Sequence, residues 1–323
     1  MVEQCKHLCG FFYRRALFSK GIARRISALI RRMLIVLFHD PLCLMSVRGK
    51  VLEMPLSHAL PLLVFENSRY DTLPRRIGDF LRAKGESIKG IDVGANIGDT
   101  VWAFGCEDGD RYLAVEADAC FASCLRRNCP SSAVVVCELF CADSDRLIEG
   151  TLVSSKGTAR VVCGTQSRQA YSVDTLAAKH GFTDSNLLKS DTDGFDFAVI
   201  NGAARLIKDV QPFVYVECDD FGDVKYGRNV DGMMRMFAES GYASVVIYDN
   251  VGYFVAQVSL ADVDTMHDLL LYQLTSDQCY FDLLFVPPVY ADEFIATERA
   301  FFASNGSKER SKPVALAMLG CQS

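Results

Sequence analysis

Carboxylate side chains recur at the ends of predicted strands, where α/β proteins bind their ligands. Asp92 lies near the end of the apolar strand Ile88–Val93, and Glu116 ends a second predicted strand 24 residues later. Backbone N–H groups and loop side chains converge at this carboxyl edge of a parallel sheet. An acid at that distance after the first is placed to accept hydrogen bonds from ribose hydroxyls. Without Asp92, Glu116 would be interpreted as an ordinary surface residue.

The turn after Asp92 separates two kinds of nucleotide site. Gly94 and Gly98 let the backbone approach a ligand closely. A dinucleotide-binding turn needs Gly-x-Gly-x-x-Gly to admit a pyrophosphate, whereas Asn96 and Asp99 replace two of those glycines here. The acids of this edge would repel a pyrophosphate and attract a cationic ligand. An ordinary tight turn between strand and helix is the alternative interpretation.

A second acidic turn follows the strand predicted to end at Lys189 to Asp191. Asp193 and Asp196 share this turn, and Glu217 ends the next strand at the same edge. Crowded carboxylates cost free energy unless a cation lies near them. Asp191 and Asp193 are the preferred candidates for accepting a proton from a substrate, ahead of Glu217, whose alternative role is to cap the next segment.

Two histidines also lie near the predicted edge. His180 closes a short helix, where interaction with the helix dipole is the simpler role than proton transfer. His58 lies beside apolar residues, and we interpret it as a packed or surface residue. Neither is a preferred catalytic candidate.

Alternating strands and helices must hold these acids in place. The order of elements predicts an α/β fold with a Rossmann-like, doubly wound sheet, mostly parallel and closed by an antiparallel final strand at Phe281–Val286. Alternating apolar and polar residues predict inserted antiparallel strands near 146–173. We divide the chain into a basic amphipathic arm (1–40), an N-terminal cover (41–86), the main domain (87–290) and a C-terminal extension (291–323).

Charge is distributed unevenly along the chain. The 323 residues are 50% hydrophobic, enough for a large core, and carry a net charge of −6. Residues 1–39 sum to +7 and the remainder to −13, so the body should repel nucleic acid and no nucleic-acid partner is expected. Thirteen cysteines show no familiar zinc-ligand spacing, so we expect no metal, and we expect reduced thiols in the cytoplasm.

The arm predicts a basic amphipathic helix from Phe18 to Phe38. Apolar residues recur every four positions: Ile22, Ile26, Ile30, Leu34 and Phe38. Arginines fall on another face: Arg24, Arg25, Arg31 and Arg32. Three interpretations remain open: peripheral contact with an anionic membrane, a helix packed on the main domain with solvated arginines, and a mitochondrial targeting segment. The longest apolar run is too short to span a bilayer.

Six segments, in order, resemble the FkbM-type methyltransferases, a family of class I S-adenosylmethionine-dependent enzymes that mostly modify hydroxyl groups. They are Ile91–Gly98, Val115–Asp118, Val173–Leu176, Leu188–Asp196, Ile200–Ala203 and Pro212–Glu217. Two features depart from the family pattern: aspartates at 193 and 196 stand where glutamates are usual, and Ala117 replaces a proline.

The resemblance implies the class I methyltransferase fold with S-adenosyl-L-methionine as cofactor. It assigns the methionine portion to Gly94–Gly98, the ribose to Glu116 and the adenine amino group to Asp143, with Asp92 and Asp191 near the ammonium. An ordinary capping role is the alternative for Asp143. The full set of cofactor-binding candidates is Asp92, Gly94, Ala95, Asn96, Gly98, Glu116, Ala117 and Asp143. Asp191 and Asp193 are the catalytic candidates.

These inferences together predict an O-methyltransferase acting on a hydroxyl of a sugar, glycan or other hydroxylated metabolite. Two other classes stay open at this point. One is a nicotinamide-dependent oxidoreductase, against which the missing glycines count. The other is a non-catalytic module with the same fold, docked on membranes by its basic arm through Arg24, Arg25, Arg31 and Arg32.

Overall fold

The computed structural model describes residues 2–155, 157–276, 280–306 and 308–320. Two helices, a hairpin and two further helices precede the central sheet. They are α1 (Val2–Phe18), α2 (Gly21–Leu37), β1 (Leu42–Val47), β2 (Lys50–Pro55), α3 (Leu60–Glu66) and α4 (Leu73–Ala83). Strands β1 and β2 form a hairpin that turns at residues 48–49, and α4 leads into the central sheet.

The remainder of the chain alternates strands and helices. In chain order the elements are β3 (Lys89–Val93), α5 (Asp99–Phe104), β4 (Arg111–Val115), α6 (Ala119–Asn128), β5 (Val134–Cys137), β6 (Phe140–Cys141), β7 (Arg146–Ser155), β8 (Thr158–Tyr171), α7 (Val173–His180), β9 (Leu187–Ser190), α8 (Asp196–Asn201), α9 (Ala204–Val210), β10 (Phe213–Cys218), α10 (Tyr226–Glu239), β11 (Ser244–Asp249), β12 (Phe254–Ser259), α11 (Val263–Thr275), β13 (Phe281–Phe285), α12 (Ala291–Ser304) and α13 (Lys312–Met318).

The main sheet has eight strands in the order β12-β11-β13-β10-β9-β3-β4-β5. Strands β5, β4, β3, β9 and β10 pair in parallel, and β13 pairs antiparallel with both β10 and β11. This confirms the predicted doubly wound sheet with an antiparallel final strand. The chain builds outward from β3 through β4 to β5, then returns to β9 on the other side of β3. The switch point between β3 and β9 is where such sheets bind ligands.

Side chains of the parallel strands alternate between two apolar layers. Ile91 and Leu113 point into one buried cluster, whereas Tyr112 and Ala114 point into the cluster on the opposite face. Because both faces are covered, the strands consist of nearly continuous apolar runs. Their carboxyl ends are the part of the sheet where polar residues begin.

The N-terminal elements pack on the sheet through α6. Tyr13 of α1, Met54 of β2 and Phe121 of α6 belong to one buried cluster. The tight packing of α1 on the hairpin is visible at Gly10, where a Cβ atom would lie 2.1 Å from the carbonyl oxygen of Leu44. These elements therefore form a fixed cover over one side of the cleft.

Two regions differ in detail from the sequence-based expectations, whereas the inserted strands agree with them. Helix α1 was not predicted, and the arm helix begins at Gly21, whose φ of 60° interrupts the backbone after α1. Residues 291–304, assigned to the extension, form α12, and Phe294 and Ile295 of this helix are buried with the sheet. The inserted strands are present as the antiparallel pair β7 and β8. None of the described helices is both long and apolar enough to cross a membrane.

Candidate functional site

A cavity of about 330 Å³ opens at the switch point of the sheet, a volume typical of small-molecule sites. Its walls come from the turns after β3, β4, β9 and β10, from residues 58–63 of the cover, and from the tip of the β7–β8 hairpin. Its acidic lining residues are Asp99, Glu116, Asp191, Asp193, Glu217 and Asp219. Lys189 is the one lysine or arginine among the described lining residues.

Gly94 allows the two acidic turns to meet. Its φ is 78°, and a Cβ atom there would lie 1.7 Å from the backbone oxygen of Asp191. The N–H groups of Gly94 and Ala95 both donate to the carbonyl of Val115, at 2.9 and 3.0 Å. The glycine is therefore required by sterics at this crossing point.

Glu116 joins the first turn to the second strand. Its Oε2 accepts from the Asn96 N–H at 2.8 Å and its Oε1 from the Asp118 N–H at 2.7 Å. Burial raises the pKa of Glu116 to about 7, although the two backbone donors act in the opposite direction. Each oxygen retains a lone pair, so the carboxylate has capacity for hydroxyl donors from a ligand.

Asn96 connects three parts of the cavity wall. Its φ is 48°, and its Nδ2 donates to the carbonyl of Gly157 at 2.5 Å. Its Oδ1 lies 3.1 Å from Nε2 of His58, and His58 Nδ1 accepts from the Leu60 N–H at 3.2 Å. Burial lowers the pKa of His58, so this histidine is a neutral, packed part of the wall.

Lys189 is the functional residue that the sequence analysis did not single out. Strand register sets it directly beside Asp92, and its Nζ lies 3.5 Å from Asp92 Oδ1 and 3.1 Å from Asp191 Oδ2. Although burial alone would lower the pKa of Lys189, the carboxylates of Asp191 and Asp92 hold it well above its usual value. The signal that could have revealed Lys189 in the sequence was a lysine at the end of a predicted strand, next to an acidic turn.

Asp92 lies beneath the cavity, outside its lining. It is 1% exposed, and neither carboxylate oxygen has a hydrogen-bond partner among the described residues. Burial raises the pKa of Asp92 to about 6, against the opposing effect of Lys189. Asp92 and Glu116 end adjacent parallel strands, so both belong to one edge of the sheet, as the sequence analysis requires.

The second acidic turn divides its three aspartates between two environments. Asp191 and Asp193 line the cavity, and Asp193 has a φ of 51°. Asp196 is buried inside the turn, where it accepts from the Ser190 hydroxyl at 2.6 Å and the Thr192 N–H at 3.1 Å. Asp196 therefore shapes the turn and does not face the ligand.

Glu217 lies in the wall that the main cavity shares with a smaller recess of about 40 Å³. Its Oε2 is buried without a hydrogen-bond partner among the described residues. Burial raises the pKa of Glu217 well above its usual range, and the nearby charges of Asp191, Asp196 and Asp193 add to the effect. The carboxyl group is thus available to exchange a hydrogen bond or a proton with a ligand.

Three predicted site residues remain to be placed: Gly98, Ala117 and Asp143. Gly98, with a φ of 86°, caps α5, and a Cβ there would lie 2.6 Å from Leu125 Cδ1. Ala117 lines the cavity. Asp143 does not: it is half-exposed and pairs with Arg146 at 2.9 Å. The expected contact of Asp143 with an adenine amino group therefore has no support here, and Leu139 and Phe140 line the cavity instead.

The acidic lining of the cavity suits a positively charged organic ligand. No group of three or more His, Cys, Asp or Glu side chains is arranged to hold a metal ion in the described ranges. Asp99 and Glu217 each place in the wall a buried carboxylate oxygen with no hydrogen-bond partner among the described residues, and such oxygens fit a positively charged ligand of moderate size.

The family model of the methyltransferase FkbM domain matches residues 92–244. This stretch, just under half of the chain, is similar to an FkbM methyltransferase domain. The matched range begins at Asp92 and includes every cavity-lining acid described above. None of the curated proteins compared with the chain matches it.

Several solved structures are distantly similar to this chain. A methyltransferase FkbM from Methylobacillus flagellatus KT is 12% identical, with 62% of this chain and 44% of that chain covered and a TM-score of 0.40. This chain therefore spans less than half of that protein. A human methyltransferase 10 domain containing protein is 11% identical (82% and 97% covered, TM-score 0.36), and M. jannaschii TYW2 in complex with AdoMet is 7% identical (76% and 84% covered, TM-score 0.35). Likenesses this distant carry no information about the substrate.

Proposed function

We propose that the chain uses S-adenosyl-L-methionine to methylate a hydroxyl group on a sugar, a glycan or another hydroxylated metabolite. The observation that carries the proposal is the carboxylate lining of the cavity at the β3–β9 switch point. S-adenosylmethionine has a cationic sulfonium and an ammonium group, so an acidic wall attracts it and would repel the pyrophosphate of a nicotinamide cofactor.

The residues of the first turn are those we assign to the methyl donor. Gly94 and Asn96 offer close backbone approach, and Glu116 offers carboxylate oxygens to ribose hydroxyls. Lys189 pairs with both Asp92 and Asp191, and its charge opposes the effect of burial on Asp92, because a buried cation favours the charged form of a neighbouring carboxyl group. When bound, the donor supplies a methyl group that its positive sulfur has already activated.

Positioning of the acceptor oxygen should account for most of the rate, since the methyl group needs no further activation. Asp191 and Asp193 remain our candidates for accepting the hydroxyl proton. Glu217 is a third candidate, supported by its buried Oε2, which has no hydrogen-bond partner among the described residues. The turn of the β7–β8 hairpin, the cover and residues 219–221 supply the rest of the acceptor pocket.

Calorimetric titration tests the choice of donor. We expect S-adenosylmethionine and S-adenosylhomocysteine to bind and NADH not to bind. Glu116→Gln should weaken donor binding at least tenfold. The amide N–H₂ group would then face one of the two backbone N–H donors, and two donors cannot form a hydrogen bond with each other. Glu138→Gln is the matched control, since Glu138 is half-exposed and outside the cavity. Equal binding by wild type and Glu116→Gln would contradict the assignment.

Identification of the acceptor requires a transfer experiment. The protein is incubated with methyl-labelled donor and fractionated metabolites, and the labelled product is analysed by mass spectrometry. A label that resists mild base and resides on a hydroxyl oxygen supports O-methylation. A label on nitrogen or carbon would refute it while leaving the donor assignment intact.

Two expectations accompany this proposal and stay predictions: that the acceptor is not a nucleic acid, and that the protein works in the cytoplasm. The strongly negative main part of the chain supports the first.

A further inference from the structure

Helix α2 exposes an apolar stripe along its whole length. Ile22 and Val36, near its two ends, are 76% and 74% exposed. Residues three or four apart lie on one side of a helix, and here they are Ile22, Ile26, Leu29, Met33 and Val36, all exposed. An unbroken row of this kind is unusual on the surface of a monomer and marks a contact surface.

The opposite side of α2 fixes the stripe in its outward position. Arg31 donates to the carbonyl of Leu56 at 2.9 Å and lies over the Tyr13 ring, 3.9 Å from its centroid. Ser27 is buried, and Leu34 packs with the cluster beneath. Rotating the helix to bury the stripe would break each of these contacts, so the stripe is available to a partner.

The charges beside the stripe indicate which kind of partner it contacts. Arg25 and Arg32 each follow a stripe residue by three positions, Ile22 and Leu29, so both flank the stripe on the same side. Glu3 is the single acid in residues 1–39, which sum to +7. A second copy of this face would bring arginine against arginine, whereas a bilayer with anionic headgroups offers acyl chains to the stripe and negative charge to the arginines.

We propose that α2 lies in the plane of an anionic lipid surface, with Ile22, Ile26, Leu29, Met33 and Val36 among the acyl chains and Arg25 and Arg32 at the headgroups. Of the four arginines first considered, Arg31 is turned inward. Arg24 lies two turns before Arg31 and hence on the same side of the helix, so it is also excluded from this contact. The proposal is independent of the methyl acceptor.

Sedimentation of the full chain with vesicles tests the proposal. Wild type should bind vesicles of phosphatidylcholine with 30% phosphatidylserine at least tenfold more tightly than pure phosphatidylcholine, and the difference should shrink in 0.5 M salt because charge contributes to binding. Ile26→Gln with Met33→Gln should reduce binding to the anionic vesicles at least tenfold. Arg25→Gln with Arg32→Gln should remove most of the preference for anionic lipid.

Matched controls lie on the main domain. Arg228→Gln with Arg235→Gln removes two exposed charges with the same seven-residue spacing from α10, and Leu271→Gln with Leu274→Gln removes two exposed apolar side chains from α11. Both control proteins should bind vesicles as wild type does. Donor titration and circular dichroism should be unchanged in all four variants, which separates this test from that of the methyltransferase activity.

Three results would overturn the proposal. The first is a failure of the wild-type protein to sediment with anionic vesicles, a result that does not depend on whether any variant folds. Equal losses in the control variants would show general adhesion. A wild-type dimer in analytical ultracentrifugation that Ile26→Gln with Met33→Gln converts to a monomer would assign the stripe to a second copy of the chain.

Discussion

At the scale of single residues, one buried lysine offsets part of the negative charge of the acidic site. Lys189 contacts two carboxylates, and no other lysine or arginine among the described residues lines the cavity. The sequence places Asp92 and Lys189 at strand ends, but only the register of β3 with β9 makes them neighbours. The acids were therefore predictable from their positions along the chain, and their counter-charge was not.

Replacing Lys189 with methionine should destabilise the protein strongly. The substitution leaves Asp92 buried without a cation, and breaking a buried pair in this way costs about 3–5 kcal/mol. Urea unfolding at pH 8 measures the change. Combining Lys189→Met with Asp92→Asn should recover a large part of the loss, and a double variant no more stable than the single one would contradict this account.

Donor affinity should rise with pH between 5.5 and 8. Burial raises the pKa of Asp92 to about 6 and that of Glu116 to about 7, so each carries a proton at the lower pH and attracts a cation less. Binding then releases protons, since the ligand favours the charged carboxylates. Calorimetry at pH 6.5 in buffers of different ionisation enthalpy measures the release, and proton uptake would refute the prediction.

At the scale of elements, the strand-to-helix turns were predictable because glycine and acid spacing is local information. The arm shows the limit of such information. The sequence analysis placed its four arginines together on one face, yet the Leu56 carbonyl and the Tyr13 ring hold Arg31 inward. Helix α1 and the inward side of α2 depend on these long-range contacts, which no short window of the sequence contains.

Gly94→Ala should disrupt both acidic turns. The added Cβ would meet the backbone oxygen of Asp191 at 1.7 Å, and the positive φ adds strain. We expect donor binding to be lost and the melting temperature to fall by several degrees. Gly222→Ala is the control, since Gly222 has a φ of 79° with nothing within 4 Å of the added carbon, so it carries the strain without the clash. Equal effects of the two substitutions would refute the close approach of the turns.

At the scale of the whole molecule, burial of carboxyl groups at the carboxyl edge of the sheet raises the pKa of several of them. The fold class and the antiparallel final strand followed from the sequence pattern, because alternating buried strands and helices admit few topologies. The placement of α12 on the sheet was not predictable from the sequence, because Phe294 and Ile295 follow two prolines and their helical pattern is short.

The protein without ligand should lose stability as pH rises. A carboxyl whose folded-state pKa is raised binds protons more tightly when folded, so the folded state is disfavoured above that pKa. Burial raises the pKa of Asp282 from 3.8 to about 7, so the loss from this group accumulates between about pH 4 and 7. Asp282→Asn should therefore raise the melting temperature at pH 8 by about 2–4 °C and change it little at pH 4.

Calorimetric melting at both pH values measures this effect. Asp268→Asn on α11 is the control, because Asp268 is exposed and should give no difference between the two conditions. A gain for Asp282→Asn that is equal at pH 4 and pH 8 would show that titration of this carboxyl is not the cause.

The hydrogen bond from Asn96 to the Gly157 carbonyl ties the tip of the β7–β8 hairpin to the turn assigned to the methyl donor. A ligand that orders this turn therefore also orders one wall of the acceptor pocket. Catalysis should consequently follow a compulsory order, with the donor entering first and its demethylated product leaving last. In steady-state kinetics that product would compete with the donor alone, and Asn96→Ala would relax the sequence of entry towards a random one.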